Sequence, residues 1–300
     1  MGRATDIDSL KAENPDFDLV GPSDIPISPS DPTPRPLTTD EIKTYVQWYA
    51  DAADKAVNKA GFDGVELLFA GGYLPDQFLQ DVSNQRSDEY GGSIENRARF
   101  PLEIIEAVSN TVGQDRVGFR ISPWNPLHGM RMGDPKPTFS YFVSQAKERF
   151  PDLAYLHAIE PRMNGGDDRE ADDMESNDFL REIWDDKAFI ATGGYDPQTA
   201  VETVNTKGGL IAFGRHYIAN VSFLSSHDLR WVQSWLGSLS PAWLAIAPQV
   251  WYPADEIPTF YVLHCGGPTR IHRLSNCNPF SAHGSPCYRC TEFWDHDYPK

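Results

Sequence analysis

The sequence has 300 residues, 40% of them hydrophobic, enough apolar material for a substantial core and too much for a disordered chain. Its formal net charge of −17 excludes the basic face that nucleic acid or an anionic membrane surface requires. No apolar run approaches the ~18 residues of a membrane span, and the opening Met1-Gly2-Arg3-Ala4-Thr5-Asp6 is too polar for a signal peptide, so the cytosol is the expected compartment.

Residues 1–37 are rich in Pro, Ser and Asp without a sustained period and read as a long loop. Thr39-Asp40-Glu41 then supplies a capping residue and early acids that favour a helix start. Ile42, Tyr45, Val46, Tyr49, Ala53, Ala56, Val57 and Ala60 follow at helical spacing, and Gly61 stands where a helix stops. The run Gly64-Val65-Glu66-Leu67-Leu68-Phe69 is of the buried parallel-strand kind. The alternation repeats: a helix over 93–112 and a strand over 116–121, a helix over 139–150 and a strand over 153–159. A short helix over 177–184 leads to a strand over 188–191, and a last helix over 196–205 to a strand over 209–213. Five strands with helices between them predict a parallel α/β sheet, either a barrel or doubly wound. A closed barrel needs eight strands and about 250 residues, so on counting alone the choice is an open sheet or an incomplete barrel. The chain changes character near Asn220. Five of its eight tryptophans and all four cysteines, Cys265, Cys277, Cys287 and Cys290, lie beyond it.

Three segments carry a family resemblance: Ala60-Gly61-Phe62-Asp63-Gly64-Val65-Glu66, Gly72-Tyr73-Leu74-Pro75-Asp76-Gln77-Phe78-Leu79, and Ser87-Asp88-Glu89-Tyr90-Gly91-Gly92-Ser93-Ile94-Glu95-Asn96-Arg97. Together they closely resemble the old yellow enzyme family, and the likeness continues through Gly118-Phe119-Arg120-Ile121-Ser122-Pro123, Glu160-Pro161-Arg162, Gly193-Gly194-Tyr195 and Gly214-Arg215. It covers roughly residues 2–220 and implies FMN-dependent (β/α)8 barrel proteins that take hydride from NADPH and reduce activated C=C bonds. Gly2-Arg3-Ala4 resembles the end of the family's third strand. The implied fold is therefore an incomplete (β/α)8 TIM barrel holding about strands 3/4 to 8. The earlier units, which in the family bring a Thr and a Gln to the flavin ring, would precede Gly2. The implied organisation is a loop over 1–37 after a remnant of strand 3, a partial flavin barrel over 38–220, and a divergent, poorly ordered tail over 221–300. The open sheet edges of such a barrel would favour an oligomer.

The resemblance also assigns site residues. Tyr73 matches the family's proton donor, where a phenol protonates the carbon opposite the one that receives hydride; the plainer reading is a tyrosine packed on the barrel rim. Leu68 and Gly71 stand where the family has a His and an Asn or second His, the pair that hydrogen-bonds the substrate carbonyl and stabilises the developing enolate. Losing one such donor costs on the order of 10²–10³ in rate. Arg120 matches the arginine beside the flavin N1/O2 region, or is a salt-bridged barrel arginine. Gly193, Gly194, Gly214 and Arg215 match the phosphate-binding end, or are ordinary tight turns. In the tail, Cys287-Tyr288-Arg289-Cys290 with His264, His272 and His283 nearby could form a zinc cluster; the alternative is translation of altered or unspliced coding sequence. The implied function is an inactive or severely impaired FMN- and NADPH-dependent oxidoreductase for an α,β-unsaturated aldehyde or ketone, within the fungal branch that includes enzymes acting on chanoclavine-I aldehyde. The open alternatives are an active ene-reductase and a non-enzymatic binding protein with a zinc-binding tail.

Overall fold

The structure is a computed structural model that describes residues 7–214, 244–245 and 260–263. The described elements all fall in the first of two units, Met1–Gly214 with Leu244–Leu263; the second, Arg215–Trp243 with His264–Lys300, lies outside the described residues, as do the four cysteines. The segment expected to be loop throughout begins with a short helix, α1 (Ile7–Glu13). Two short strands follow it, β1 (Val20–Gly21) and β2 (Arg35–Pro36), which pair in parallel. The first long helix, α2 (Thr39–Asp54), is closed by a capping box in which the Thr38 hydroxyl accepts from Glu41 N–H and the Glu41 carboxylate accepts from Thr38 N–H.

From there the chain alternates. Strand β3 (Gly64–Phe69) is followed by α3 (Leu74–Leu79) and α4 (Ile94–Val112), β4 (Val117–Ile121) by α5 (Lys136–Arg149), and β5 (Tyr155–Ile159) by a small hairpin, β6 (Met163–Asn164) and β7 (Asp167–Asp168), and α6 (Asp178–Trp184). Strand β8 (Phe189–Thr192) leads through α7 (Pro197–Lys207) to β9 (Leu210–Ala212). Strands β3, β4, β5, β8 and β9 lie side by side in parallel in that order, the arrangement of an incomplete α/β barrel. Each outer strand has a further neighbour. Strand β10 (Leu244–Ala245) pairs in parallel with β9, and β11 (Phe260–Leu263) pairs antiparallel with β3, placing Phe260 against Leu67 and Leu263 against Gly64. The edges expected to lie open are therefore paired over these residues. Two short stretches of the tail expected to be poorly ordered also belong to the sheet. A row of unpaired backbone N–H and C=O groups is costly, and a strand of any direction can satisfy it.

Side chains alternate across each strand and give the sheet two different faces. Val65, Leu67 and Phe69, Val117, Phe119 and Ile121, and Leu156, Ala158, Phe189, Ala191 and Ile211 point to the helices and join one large apolar core. The helices contribute Ile42, Ile105, Phe142 and Trp184 among others. Phe119 is the centre of this layer, meeting Phe142 at 5.5 Å and Trp184 at 5.6 Å, both edge to face. Trp184 is fully buried and donates its indole N–H to the Ala188 carbonyl at 2.9 Å. On the opposite, inner face lie Glu66, Leu68, Gly118, Arg120, Tyr155, His157 and Ile190. Among the described residues a small apolar cluster of Tyr155, Ile190 and Ala212 forms there. Trp184→Ala should cost about 3–5 kcal/mol, the usual loss for a fully buried large aromatic, read as a lower denaturant midpoint in chemical unfolding followed by circular dichroism.

Candidate active site

The inner face supplies the charged floor of the site. The register sets Glu66 opposite Gly118 and Gly118 opposite Tyr155; one level up, Leu68 pairs with Arg120, Arg120 with His157, and His157 with Ile190. Glu66 and His157, each 4% exposed, meet with Oε2 2.8 Å from Nδ1. Burial pushes the Glu66 carboxyl up, but His157, Arg120 and a hydrogen bond from Tyr155 together outweigh it and hold the pKa below the ordinary carboxylate range. Burial lowers His157 despite the opposing pull of Glu66, and the positive charge of Arg120 adds to the lowering. The pair therefore stands as a carboxylate and a neutral imidazole whose Nδ1–H donates to Glu66. Leu68, also buried, occupies the row of Arg120 and His157 and brings no polar atom to it.

The turn after β3 carries Tyr73. Gly71 and Gly72 are both left-handed, with φ of 61° and 78°, which lets the chain reverse before α3 begins at Leu74. Each peptide group of this turn is held. Gly71 N–H donates to the Ser122 hydroxyl at 2.8 Å and Gly72 N–H to the Asp76 carboxylate at 2.9 Å. The Gln77 amide donates to the Gly72 carbonyl at 2.8 Å, and the His128 Nδ1–H to the Gly71 carbonyl at 2.7 Å. Ser122 follows Arg120 by two residues, so this clamp brings the Tyr73 turn to the end of the strand that bears Arg120. A methyl group on Gly72 would sit 2.9 Å from the His128 Cβ, whereas the nearest atom to one on Gly71 is 3.8 Å away. Gly71 is thus kept free of a side chain by neither space nor, for asparagine, conformation.

The expected phosphate end sits apart from that turn, beyond β8. Gly193 and Gly194 have φ of 108° and 62°, and their closest neighbours are side chains of the segment that follows β5. A Cβ on Gly193 would meet the Met163 Cγ at 2.4 Å, and one on Gly194 the Arg162 Nε at 2.8 Å. Among the described residues nothing lies within 4 Å of a Cβ placed on Gly214, and Arg215 lies outside the described residues. Sequence reasoning did not single out Glu66, His157, Asp76, His128 or Arg162 as site residues. The first two had a signal, since a Glu and a His at inward positions of otherwise apolar strands must be paired. His128 had none, because its contact with Gly71 spans 57 residues between two loops.

Asp76 is fully buried, and burial raises its pKa to about 7 against hydrogen bonds from Gln80 and Gly72 that favour the charged form. A folded-state pKa above the unfolded one means that the folded chain holds the proton more tightly. Stability from this group is therefore full below about pH 4 and is lost as pH rises through about 7. His157, with its lowered pKa, acts with the opposite slope, so the comparison must be made against a variant. Between pH 5 and 8 the wild-type melting temperature should fall relative to that of Asp76→Asn, checked by calorimetry in parallel pH series.

Comparison with known proteins agrees with this geometry. Residues 2–228 match the NADH:flavin oxidoreductase / NADH oxidase family. The probable inactive dehydrogenase easA of Claviceps fusiformis is 42% identical over 229 residues, covering 73% of this chain and 59% of that protein. Chanoclavine-I aldehyde reductase fgaOx3 of Penicillium roqueforti is 44% identical over 224 residues, with the same coverage of 73% and 59%. The chain thus spans about 59% of the length of these relatives. Among solved structures, morphinone reductase aligns with a TM-score of 0.60 at 37% identity, covering 68% of this chain and 58% of that one. The old yellow enzyme homologue of Zymomonas mobilis aligns at 0.67 and 28%, covering 78% and 65%. The chain belongs to the NADH:flavin oxidoreductase / NADH oxidase family, as a member of its old yellow enzyme group.

Proposed function

We propose that this chain is an old-yellow-enzyme-type flavin protein whose reduction of α,β-unsaturated aldehydes or ketones is absent or severely impaired. The observation that carries the reading is Leu68, buried on the inner face beside Arg120, with the bare Gly71 turn three residues on. These are the two positions at which the family resemblance places the groups that polarise the substrate carbonyl. Leucine and glycine side chains donate no hydrogen bond to an oxygen that gains negative charge. The names of the relatives divide between the two states: one at 42% identity is called a probable inactive dehydrogenase and one at 44% a chanoclavine-I aldehyde reductase. The latter also favours a chanoclavine-type conjugated aldehyde as the ancestral substrate.

Other parts of an ene-reduction site are retained. Tyr73, half-buried at the start of α3 and fixed through the clamped Gly71–Gly72 turn, would hold the phenolic proton delivered to the substrate carbon. Arg120, facing inward at the end of β4 with anionic Glu66 beneath it, presents positive charge toward the barrel mouth. A cation at a strand's C-terminal end and left-handed glycines after β8 fit an anionic flavin mononucleotide, with Gly193, Gly194 and Gly214 at its phosphate. When bound, FMN would supply the redox chemistry between NADPH and substrate.

The test is restoration. The wild-type chain with FMN, NADPH and a conjugated enal should oxidise NADPH no faster than the flavin background, and Leu68→His/Gly71→Asn should raise the rate by on the order of 10²–10³ for each donor regained. Wild-type turnover at an ordinary enzymatic rate of about 1–10 s⁻¹ or more would overturn the inactive reading. An unchanged rate in the double variant would remove the defect from these two positions.

A further inference from the structure

We propose that Arg162 is a phosphate-binding cation, recognising a phosphate monoester at the C-terminal ends of β5 and β8. The inference deepens the flavin reading, on which its cofactor form rests; the shared chemistry is the terminal phosphate of a flavin mononucleotide or free phosphate.

Arg162 follows β5 by three residues and lies across the turn after β8. Its Nε donates to the Gly193 carbonyl at 2.9 Å, and its guanidinium carbon stacks 4.2 Å from the centre of the Tyr195 ring. A Cβ on Gly194 would come within 2.8 Å of Nε and 3.0 Å of Cδ, so glycine at 194 is what gives the arginine its place. The group is therefore fixed from three sides, which leaves little rotamer freedom to lose when it takes a ligand. Yet its Nη2 is buried and has no hydrogen-bond partner. The acids nearby are engaged elsewhere: Glu160 accepts from the Tyr195 hydroxyl at 2.8 Å, and Asp196 caps α7 by accepting from Thr199 N–H at 2.8 Å.

A buried guanidinium N–H without an acceptor is costly, and arginines used only for structure spend their forks on carboxylates or carbonyls. Here one side of the fork is spent on Gly193 and the other is unspent. The turn after β8, which Arg162 reaches from the neighbouring strand end, is one of the pair of loops after the last two strands where barrel proteins of this architecture bind phosphate. The planar fork and weak hydration of arginine suit a phosphate oxygen better than a lysine ammonium would. Phosphate supplies acceptor oxygens and negative charge together, so a single ligand would satisfy the orphaned Nη2 donor and add to the charge that Asp196 already sets against the guanidinium.

The experiment compares FMN with riboflavin, which lacks only the phosphate, by flavin fluorescence titration on the full chain. Wild type should bind FMN at least about tenfold more tightly than riboflavin, equivalent to about 1.4 kcal/mol. Arg162→Gln should shrink that ratio toward one while riboflavin affinity stays put, and Arg162→Lys should keep part of it. Arg162→Met, which preserves the stem packed on Tyr195, guards against a folding defect in the glutamine variant. An unchanged FMN-to-riboflavin ratio in folded Arg162→Gln and Arg162→Met overturns the proposal. If wild type binds neither flavin, the cofactor reading fails, and inorganic phosphate decides between the remaining outcomes. A phosphate-dependent rise in wild-type melting temperature that is lost in both variants supports a free-phosphate site at Arg162, and equal or absent responses overturn it.

Discussion

A strand buried on both of its faces cannot leave a polar side chain to water, so every charge it carries must find a partner inside. The Glu66 carboxylate is where this constraint bites hardest. It is 4% exposed, in a strand otherwise made of Gly, Val, Leu and Phe, and it is tolerable only because His157, Arg120 and Tyr155 converge on it from the next two strands. That convergence needs β3, β4 and β5 in their observed register, because a one-residue slip would turn Glu66 into the apolar helix layer and Leu67 into the charged one. The same register puts Arg120 at the strand's upper end and brings Ser122 within reach of Gly71. Alignment of the candidate site is thus a by-product of neutralising one buried acid.

The Tyr73 turn depends on a second, looser set of constraints. Its backbone groups are taken by side chains from β4's end, from α3 itself and from the loop that carries His128, which is left-handed with φ of 59°. Strain of that kind in a non-glycine residue persists only where surrounding contacts over-determine it. Asp76 links the two sides: it accepts from Gly72 N–H and from the Gln80 amide, and Gln80 in turn accepts from Arg131 N–H at 2.8 Å. The phenol is therefore positioned by a hydrogen-bonded frame rather than by packing alone.

Much of this was legible in the sequence, and what was not has physical reasons. The continuous apolar run from Gly64 to Phe69 marked β3 to the residue, and helix α4 was found within a residue of its ends, because its apolar positions repeat with the helical period. Helix α3 is six residues long, too short for a period to show, and the hairpin of β6 and β7 has two-residue strands, one of them Asp167–Asp168, with no apolar alternation. The pairing of β11 with β3 could not be read because register between segments so far apart is set by which edge is available, not by local pattern. At the site, the motif columns pointed to Tyr73, Arg120, Gly193 and Gly194. The side chain that fills the space around Gly194 comes from Arg162, on another strand's end, and only the folded chain brings the two together.

In the proposed reading, leucine rather than histidine at position 68 makes sense in terms of the same buried floor. A histidine there would stand in the row of Arg120 and His157, adding a third nitrogen-bearing group to a face where Glu66 is already bonded to His157. Without a substrate oxygen to bond, such a group is a cost to folding; with one, it is a catalytic donor. Leucine removes the cost and the donor together. Gly71 is similar in kind, since glycine adopts φ of 61° freely where asparagine would give up side-chain freedom to point at a ligand. In the proposed reading the chain has therefore relaxed toward what its fold prefers wherever only chemistry had required otherwise. It has kept the polar groups, Glu66, His157 and Ser122, that bond one another or the backbone around the site. Loss of activity along this route needs no loss of stability, because a substrate-polarising pair is a local conflict that the scaffold carries for function and is free to drop.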